Sequence, residues 1–293
     1  MSHSLFFLIL GVCCYIIDSM KILPGIRFRS VQVLKKSYIS LLAILALMAA
    51  LVSSASAAGS SVAVAPAGSG QGSGSSSAGS TQAKKTYVIC IDPGHQLKGN
   101  NQKEPIGPGA SEKKPKVSSG TLGVATKKPE YVLNLEISLK LKKELEKRGY
   151  KVVMTREKHN VNLSNKDRSD IANKAKADLF IRIHADGDTS PKTEGFSVLY
   201  PAQGNKYTKA IYAKSKLASE DIQQEMKSAT KAKSKGVVPR SDLTGFNWSK
   251  VPVTLVEVGF MTSPSEDKRL STSAYQDKLT AGIAGGVDKY FHK

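Results

Sequence analysis

The chain has 293 residues, with 43 Lys and Arg against 24 Asp and Glu, and a formal charge of +19 at pH 7. Such an excess draws anionic partners by long-range attraction. Aromatic residues make up only 6% of the chain and few interleave the lysines. With no helix-turn-helix or RNA-binding signature either, nucleic acid is excluded as the expected partner.

At the N-terminus, Lys21, Arg27, Arg29, Lys35 and Lys36 precede an apolar block from Tyr38 to Leu47, and Ala55-Ser56-Ala57 places small residues where a signal peptidase reads. Residues 1–57 therefore read as an export signal. A first apolar block, Leu5 to Ile17, has no basic residue before it, whereas counting from Met20 restores the usual order, so Met20 is the expected start. Leu41 to Val52 is shorter than the roughly 20 residues of a spanning helix, which favours cleavage over a retained anchor. The product is expected outside the cell or in its wall, with no stable membrane span. Cleavage would remove Cys13 and Cys14 and leave Cys90, which lies in an apolar run and reads as a buried structural thiol. The removed segment holds five Lys/Arg and one Asp, which leaves +15 on the remainder. Outside a cell that charge suits anionic wall polymers.

Residues 58–83 are mostly Ser, Gly and Ala without periodicity, a flexible linker. Residues 84–293 have the size of one domain. Strand-like and helical runs alternate through it, which predicts an α/β fold: a single domain whose mixed, mostly parallel sheet is flanked by helices on both faces. The first strand, Val88 to Asp92, leads into a Gly/Pro/Lys-rich loop from Gln96 to Lys128. Pro129 then opens a helix with Leu133, Ile137, Leu141 and Leu145 on one stripe, stopped at Gly149. A strand over Lys151 to Thr155 follows, and Leu163-Ser164-Asn165 caps a helix carrying Ile171, Ala172 and Ala175. The next strand is Leu179 to His184, and Glu194 to Tyr200 alternates as a strand half exposed on one face. A helix is expected from about Lys206 to Met226, a mobile lysine-rich turn from Lys227 to Lys235, a strand over Val253 to Gly259, and a last helix bearing Leu279, Ile283, Val287 and Tyr290.

The chemistry gathers at strand ends. His95 follows Asp92-Pro93-Gly94, which turns the chain out of its strand, and His184 ends an equivalent run. If these strands are parallel neighbours, both imidazoles meet at the carboxyl edge of the sheet, where open α/β sheets bind ligands. His159 in a polar turn and His292 near the chain end read as solvated or frayed. A catalytic zinc takes three protein ligands and keeps a position for water, so a carboxylate is wanted. Glu130, in the first turn of the helix that returns to this edge, is placed for it, although a first-turn acid also complements the helix dipole. Glu257 lies among Val253, Leu255, Val256, Val258 and Phe260. Burial there would raise its pKa toward that of a general base, unless one of the many lysines partners it.

These residues resemble, in order, the zinc-dependent N-acetylmuramoyl-L-alanine amidases of bacterial cell walls. The resemblance is carried by Asp92-Pro93-Gly94-His95, Glu130 with Asn134-Leu135, Thr155-Arg156, the run from Ile171-Ala172-Asn173 to Ile183-His184-Ala185, Gly195, and Val256-Glu257-Val258-Gly259-Phe260, spanning about Tyr87 to Phe291. It implies zinc on His95, Glu130 and His184, Glu257 as catalytic acid/base, and hydrolysis of the amide joining N-acetylmuramic acid to L-alanine in peptidoglycan. Asp186 stands where Asn is common, Arg182 where a small residue is usual and Ser263 where Asn often follows, which bears on substrate preference. The Gln96 to Lys128 loop is longer than the family's and lysine-rich. Lys113, Lys114 and Lys116 are its candidate substrate-binding residues, a basic rim for anionic glycan or peptide carboxylates. Two other readings stand beside this one: a wall-binding protein or regulator without turnover, and a zinc peptidase cutting within the stem peptide. The oligomeric state is left open.

Overall fold

The computed structural model describes residues 85–293; the expected export signal and linker lie outside these residues. Six strands form one sheet in the order β4-β1-β5-β8-β6-β7. They are β1 (Val88–Pro93), β4 (Lys151–Met154), β5 (Leu179–Asp186), β6 (Phe196–Pro201), β7 (Ser234–Arg240) and β8 (Val253–Phe260). β4, β1, β5 and β8 are parallel, β6 is antiparallel to β8, and β7 is parallel to β6. The expected mixed, mostly parallel sheet is therefore present.

Helices cover both faces, and the strands are buried accordingly. Against one face pack α1 (Glu130–Lys147), α3 (Tyr212–Thr230) and α6 (Ser273–Phe291), whose Leu133, Ile137, Ile222 and Ile283 join Ile89, Ile181 and Val256 in the larger core. The second core, around Cys90, Phe180 and Leu255, is closed by Ala172 of α2 (Asn165–Lys174) and Phe246 of α4 (Thr244–Asn247). Between α3 and α6 the approach is limited to backbone distance. A Cβ on Gly282 would lie 2.7 Å from the Met226 Cα, and one on Gly286 would collide with the Ile222 Cα.

Several local expectations hold in detail. Ser164 caps α2, with a reciprocal bond from its own N–H to Asp167, a full capping box. Pro129 precedes α1, and Gly149 beyond its end adopts φ +88°. Cys90 is buried and free.

The departures lie in polar stretches. The long loop contains a hairpin, β2 (Asn100–Pro105) with β3 (Lys113–Val117), neither of which has the alternating apolar residues of an ordinary strand. Groups from elsewhere in the chain anchor it: the Trp248 side chain donates to the Pro105 carbonyl at 2.9 Å, and the Lys166 backbone N–H donates to Glu104 at 3.2 Å. The lysine-rich turn is structured as well. Helix α3 begins later than expected, at Tyr212, and runs on to Thr230; Ser234 then opens β7, which borrows its order from pairing with β6. Strand β6 is buried along its whole length rather than half exposed, because it lies inside the sheet with helices over both faces. The short helix α5 (Pro264–Leu270) after β8 was not expected either. No helix among the described residues is long and apolar enough to cross a membrane.

A buried ionic cluster joins the strands beneath their carboxyl edge. Asp92 is fully buried and accepts from Thr155 at 2.6 Å, Arg168 at 2.7 Å and Arg182 at 2.9 Å. Burial alone would raise its pKa, but the two guanidinium groups and the Thr155 hydroxyl hold it well below the usual carboxylate range. Asp92→Asn would leave two buried cations uncompensated, so urea denaturation should show a loss of about 3–5 kcal/mol. Because the folded pKa is depressed, the wild-type advantage is present above the unfolded value of about 3.9 and is lost as pH falls. The gap between the two proteins should therefore be constant above about pH 5 and shrink below pH 4.

Candidate metal centre and active site

The site stands on the ends of β1, β5 and β8 and on the first residue of α1. At the end of β1, His95 adopts φ +58°, a left-handed conformation that costs a non-glycine residue roughly 1–2 kcal/mol. Two buried arginines hold the turn in that shape. Arg168 donates to the carbonyls of Pro93 (2.9 Å) and His95 (3.0 Å), and Arg156 to those of Pro93 (2.9 Å), Gly94 (2.9 Å) and Tyr131 (2.9 Å). The His95 Nδ1 faces the Ser118 carbonyl at 3.0 Å, which places the ring proton there and leaves the Nε2 lone pair for a ligand.

His184 ends the apolar part of β5, and its ring lies directly over Gly94. Any side chain at position 94 would collide with the imidazole, which explains the glycine before His95. The His184 Nδ1 comes within 3.1 Å of His95 Nε2 and 3.4 Å of Glu130 Oε1, while His95 Nε2 lies 3.0 Å from the same oxygen. Glu130 is buried and oriented by three donors: the Ala185 N–H and the Asn134 amide to Oε1, both at 3.1 Å, and the Thr121 N–H to Oε2 at 2.8 Å.

This trio fits a divalent metal. Burial pulls the His184 pKa down to about 4 in spite of Glu130, so the ring is neutral at pH 7. Burial also works against the Glu130 anion, yet the two histidines keep its pKa well below the usual range. Two imidazole lone pairs and a carboxylate thus point at one another and need a cation between them. Their separations of 3.0–3.4 Å match the edge of about 3.3 Å expected for tetrahedral ligands at the 2.0–2.1 Å typical of zinc. His95, Glu130 and His184 are the group of potential ligands that the described residues bring together.

Glu257 pairs in register with His184 across β5 and β8. Its Oε2 is buried and has no hydrogen-bond partner among the described residues, so none of their lysines neutralises it. Burial, and then the negative charges of Glu130 and Asp186, push its pKa well above that of an ordinary glutamate. The result is an unpaired, proton-seeking carboxyl beside an anionic ligand set.

The three lysines proposed for substrate lie apart from this group, on β3. Lys114 donates to the Asp242 carbonyl at 2.7 Å and Lys116 to Gln102 at 3.0 Å; Lys113 is exposed. Sequence reasoning passed over Arg168, whose surroundings in Asn165-Lys166-Asp167-Arg168-Ser169-Asp170 read as a solvated helix face. Its only signal was a capping box that aims this turn of α2 at the end of β1.

Residues 89–289 match the family of N-acetylmuramoyl-L-alanine amidases. The chain belongs to this family. Among curated relatives, the amidase LytC of Bacillus subtilis is 29% identical over 203 residues, covering 69% of this chain and 35% of its own length. The amidase AmiA of Escherichia coli is 28% identical over 243 residues, covering 70% of this chain and 76% of its own. The chain thus spans only about a third of LytC but most of AmiA. The crystal structure of the N-acetylmuramyl-L-alanine amidase of Mycobacterium smegmatis superposes with a TM-score of 0.63 at 25% identity, over 70% of this chain and 96% of that one. The amidase fold and the family are thereby established.

The arginine clamp predicts how this amidase domain tolerates change behind its ligands. Arg156→Lys keeps the charge but cannot reach several carbonyls at once. The variant should fold, and titration with zinc should show affinity lower by roughly tenfold or more, as for other supports of metal ligands.

Proposed function

We propose that the chain hydrolyses the amide between the lactyl group of N-acetylmuramic acid and the L-alanine of the stem peptide in peptidoglycan, with zinc held by His95, Glu130 and His184. The observation that carries this reading is the orphaned Glu257 carboxylate beside a three-ligand set of metal dimensions. Zinc there would polarise the amide carbonyl and make the attacking water more acidic. Glu257 accepts the proton of that water on Oε2, and its raised pKa lets it hold the proton until it is delivered to the leaving amine nitrogen. Glu130 keeps its negative charge throughout, because its three hydrogen-bond donors favour the anion. All four positions are filled, which favours turnover over a purely wall-binding role.

The setting follows from the same reading. An export signal over residues 1–57 and a flexible linker over residues 58–83 would deliver the domain of residues 84–293 to the wall, where the charge of the chain suits anionic polymers. Lys113, Lys114 and Lys116 would contribute to that attraction. Replacing all three with Glu should weaken sedimentation with purified walls, most at low ionic strength. Unchanged sedimentation would remove the hairpin lysines from wall binding.

The decisive experiment incubates the full chain with peptidoglycan and weighs the released fragments. Intact stem peptides beginning with L-alanine, lost on chelation and restored by zinc, are expected; fragments cut inside the stem would mark a peptidase. Glu257→Gln should retain bound zinc while losing at least about a hundredfold in kcat. His184→Ala should lose both metal and turnover. Full turnover by Glu257→Gln would take the acid/base role from Glu257.

A further inference from the structure

Between the hairpin and the loop after β4 lies a cleft of about 520 Å³ with an unusual lining. One wall is Lys98 to Gln102, the start of the hairpin, and the other is Asn160 to Asn162, the loop after β4. Five side chains along it are carboxamides: Asn100, Asn101, Gln102, Asn160 and Asn162. The two walls are fixed to one another, since Leu97 N–H donates to the His159 carbonyl at 2.9 Å and Asn100 donates to Asn162 at 3.0 Å. The cleft is also fixed to the site. Gly99 packs so closely on Ser118 and Ser119 that a Cβ would come 2.9 Å from the Ser119 hydroxyl, and the Ser118 carbonyl is the group that orients His95.

We infer that this cleft binds the glycan strand of the substrate, seating an N-acetylated hexosamine next to the muramic acid whose amide is cut. The inference rests on the amidase reading for the identity of the strand. Its physical basis is the match of functional groups. A carboxamide both donates and accepts, as do the hydroxyl and N-acetyl groups of a hexosamine. A site for stem-peptide carboxylates would call for several cations, and the lining residues include only Lys98. Part of the lining is spent internally, because Gln102 accepts from Lys116 and Asn100 accepts from the Gln102 N–H. Asn101 and Asn160 are exposed, and among the described residues their side chains make no hydrogen bond, which leaves both amides for a ligand. The scissile amide hangs from a sugar inside a continuous chain, so with its carbonyl at His95 and His184 the neighbouring sugars must run outward from the site, and the wall of the cleft begins at Lys98, just beyond His95 in the chain.

The test uses the full chain and a peptide-free N-acetylglucosamine tetramer as probe, with binding measured by calorimetry. Loss of two hydrogen bonds in the double variant Asn101→Ala, Asn160→Ala should raise the Kd of the tetramer about tenfold or more, as one lost bond is worth roughly 1 kcal/mol. The KM for a tetrasaccharide carrying stem peptides should rise by a similar factor with kcat kept. Both side chains are exposed, so the variant should fold as the parent does. An unchanged tetramer Kd in the variant, no tetramer binding by the parent, or binding of free stem peptide in its place through Lys98 would overturn the inference. The two readings fail separately: tetramer binding that the variant weakens, without any hydrolysis, would sink the amidase reading and uphold the cleft, whereas hydrolysis indifferent to the variant would do the reverse.

Discussion

The carboxylate of Asp92 is the interaction on which the rest of the structure depends. It lies fully buried in β1, yet stays charged because Arg168 from α2 and Arg182 from β5 bring it two guanidinium groups. An ion cluster of this kind contributes little net stability compared with a well-packed apolar one, and removing one member is costly. Its value here is geometric. Arg168 also donates to the carbonyls of Pro93 and His95 and to the Gln96 side chain, so the charge that neutralises Asp92 is also the hand that shapes the turn carrying the first metal ligand. Arg182 ties the same carboxylate to the strand carrying the second. The relative position of His95 and His184 is thus referred to one buried anion.

Above that cluster, the site separates two glutamates by environment alone. Both are desolvated, but Glu130 receives three hydrogen bonds and two imidazoles, whereas Glu257 has an oxygen with no partner among the described residues and faces Glu130 and Asp186. The first is held as an anion and the second is pressed toward its neutral form. Such divergence of like groups is how one site supplies a permanent charge and a movable proton. Asp186, where the family more often has Asn, adds negative charge on the side of Glu257 and strengthens the contrast.

Much of this was legible in the sequence because it depends on strand ends and periodicity. The apolar runs before His95, His184 and Glu257 read as buried strands, and Asp92-Pro93-Gly94 announced a turn that presents the following side chain. The helical stripes of α1 and α6 and the cap of α2 at Leu163-Ser164-Asn165 were equally plain. What stayed hidden was structure whose order is borrowed from elsewhere. The residues Asn100-Asn101-Gln102-Lys103-Glu104-Pro105 have no strand pattern and become β2 only because Trp248 and Lys166 anchor it from a distance. Likewise β7, with Lys235, Gly236 and Pro239 in it, is a strand because β6 offers a free edge. Arg168 was missed for a related reason: a polar helix face and a buried clamp have the same local composition.

The two halves of the fold thereby carry different burdens. His184 and Glu257 sit on strands, Glu130 on the first residue of a helix and His95 on the arginine-held turn after β1, positions where a displacement of a fraction of an ångström would matter. The hairpin and the loop after β4 carry polar side chains on segments whose composition is under no demand from the core, and such segments are free to be reshaped for recognition. The two meet where the chain returns from the hairpin: Ser118 supplies the carbonyl that sets the tautomer of His95, and Thr121 an N–H to Glu130. A change in the hairpin that moved this carbonyl would reach the metal ligand directly. The long loop is therefore free to vary along its outer length but is held, at its return to the site, by the same requirement that fixes the strands.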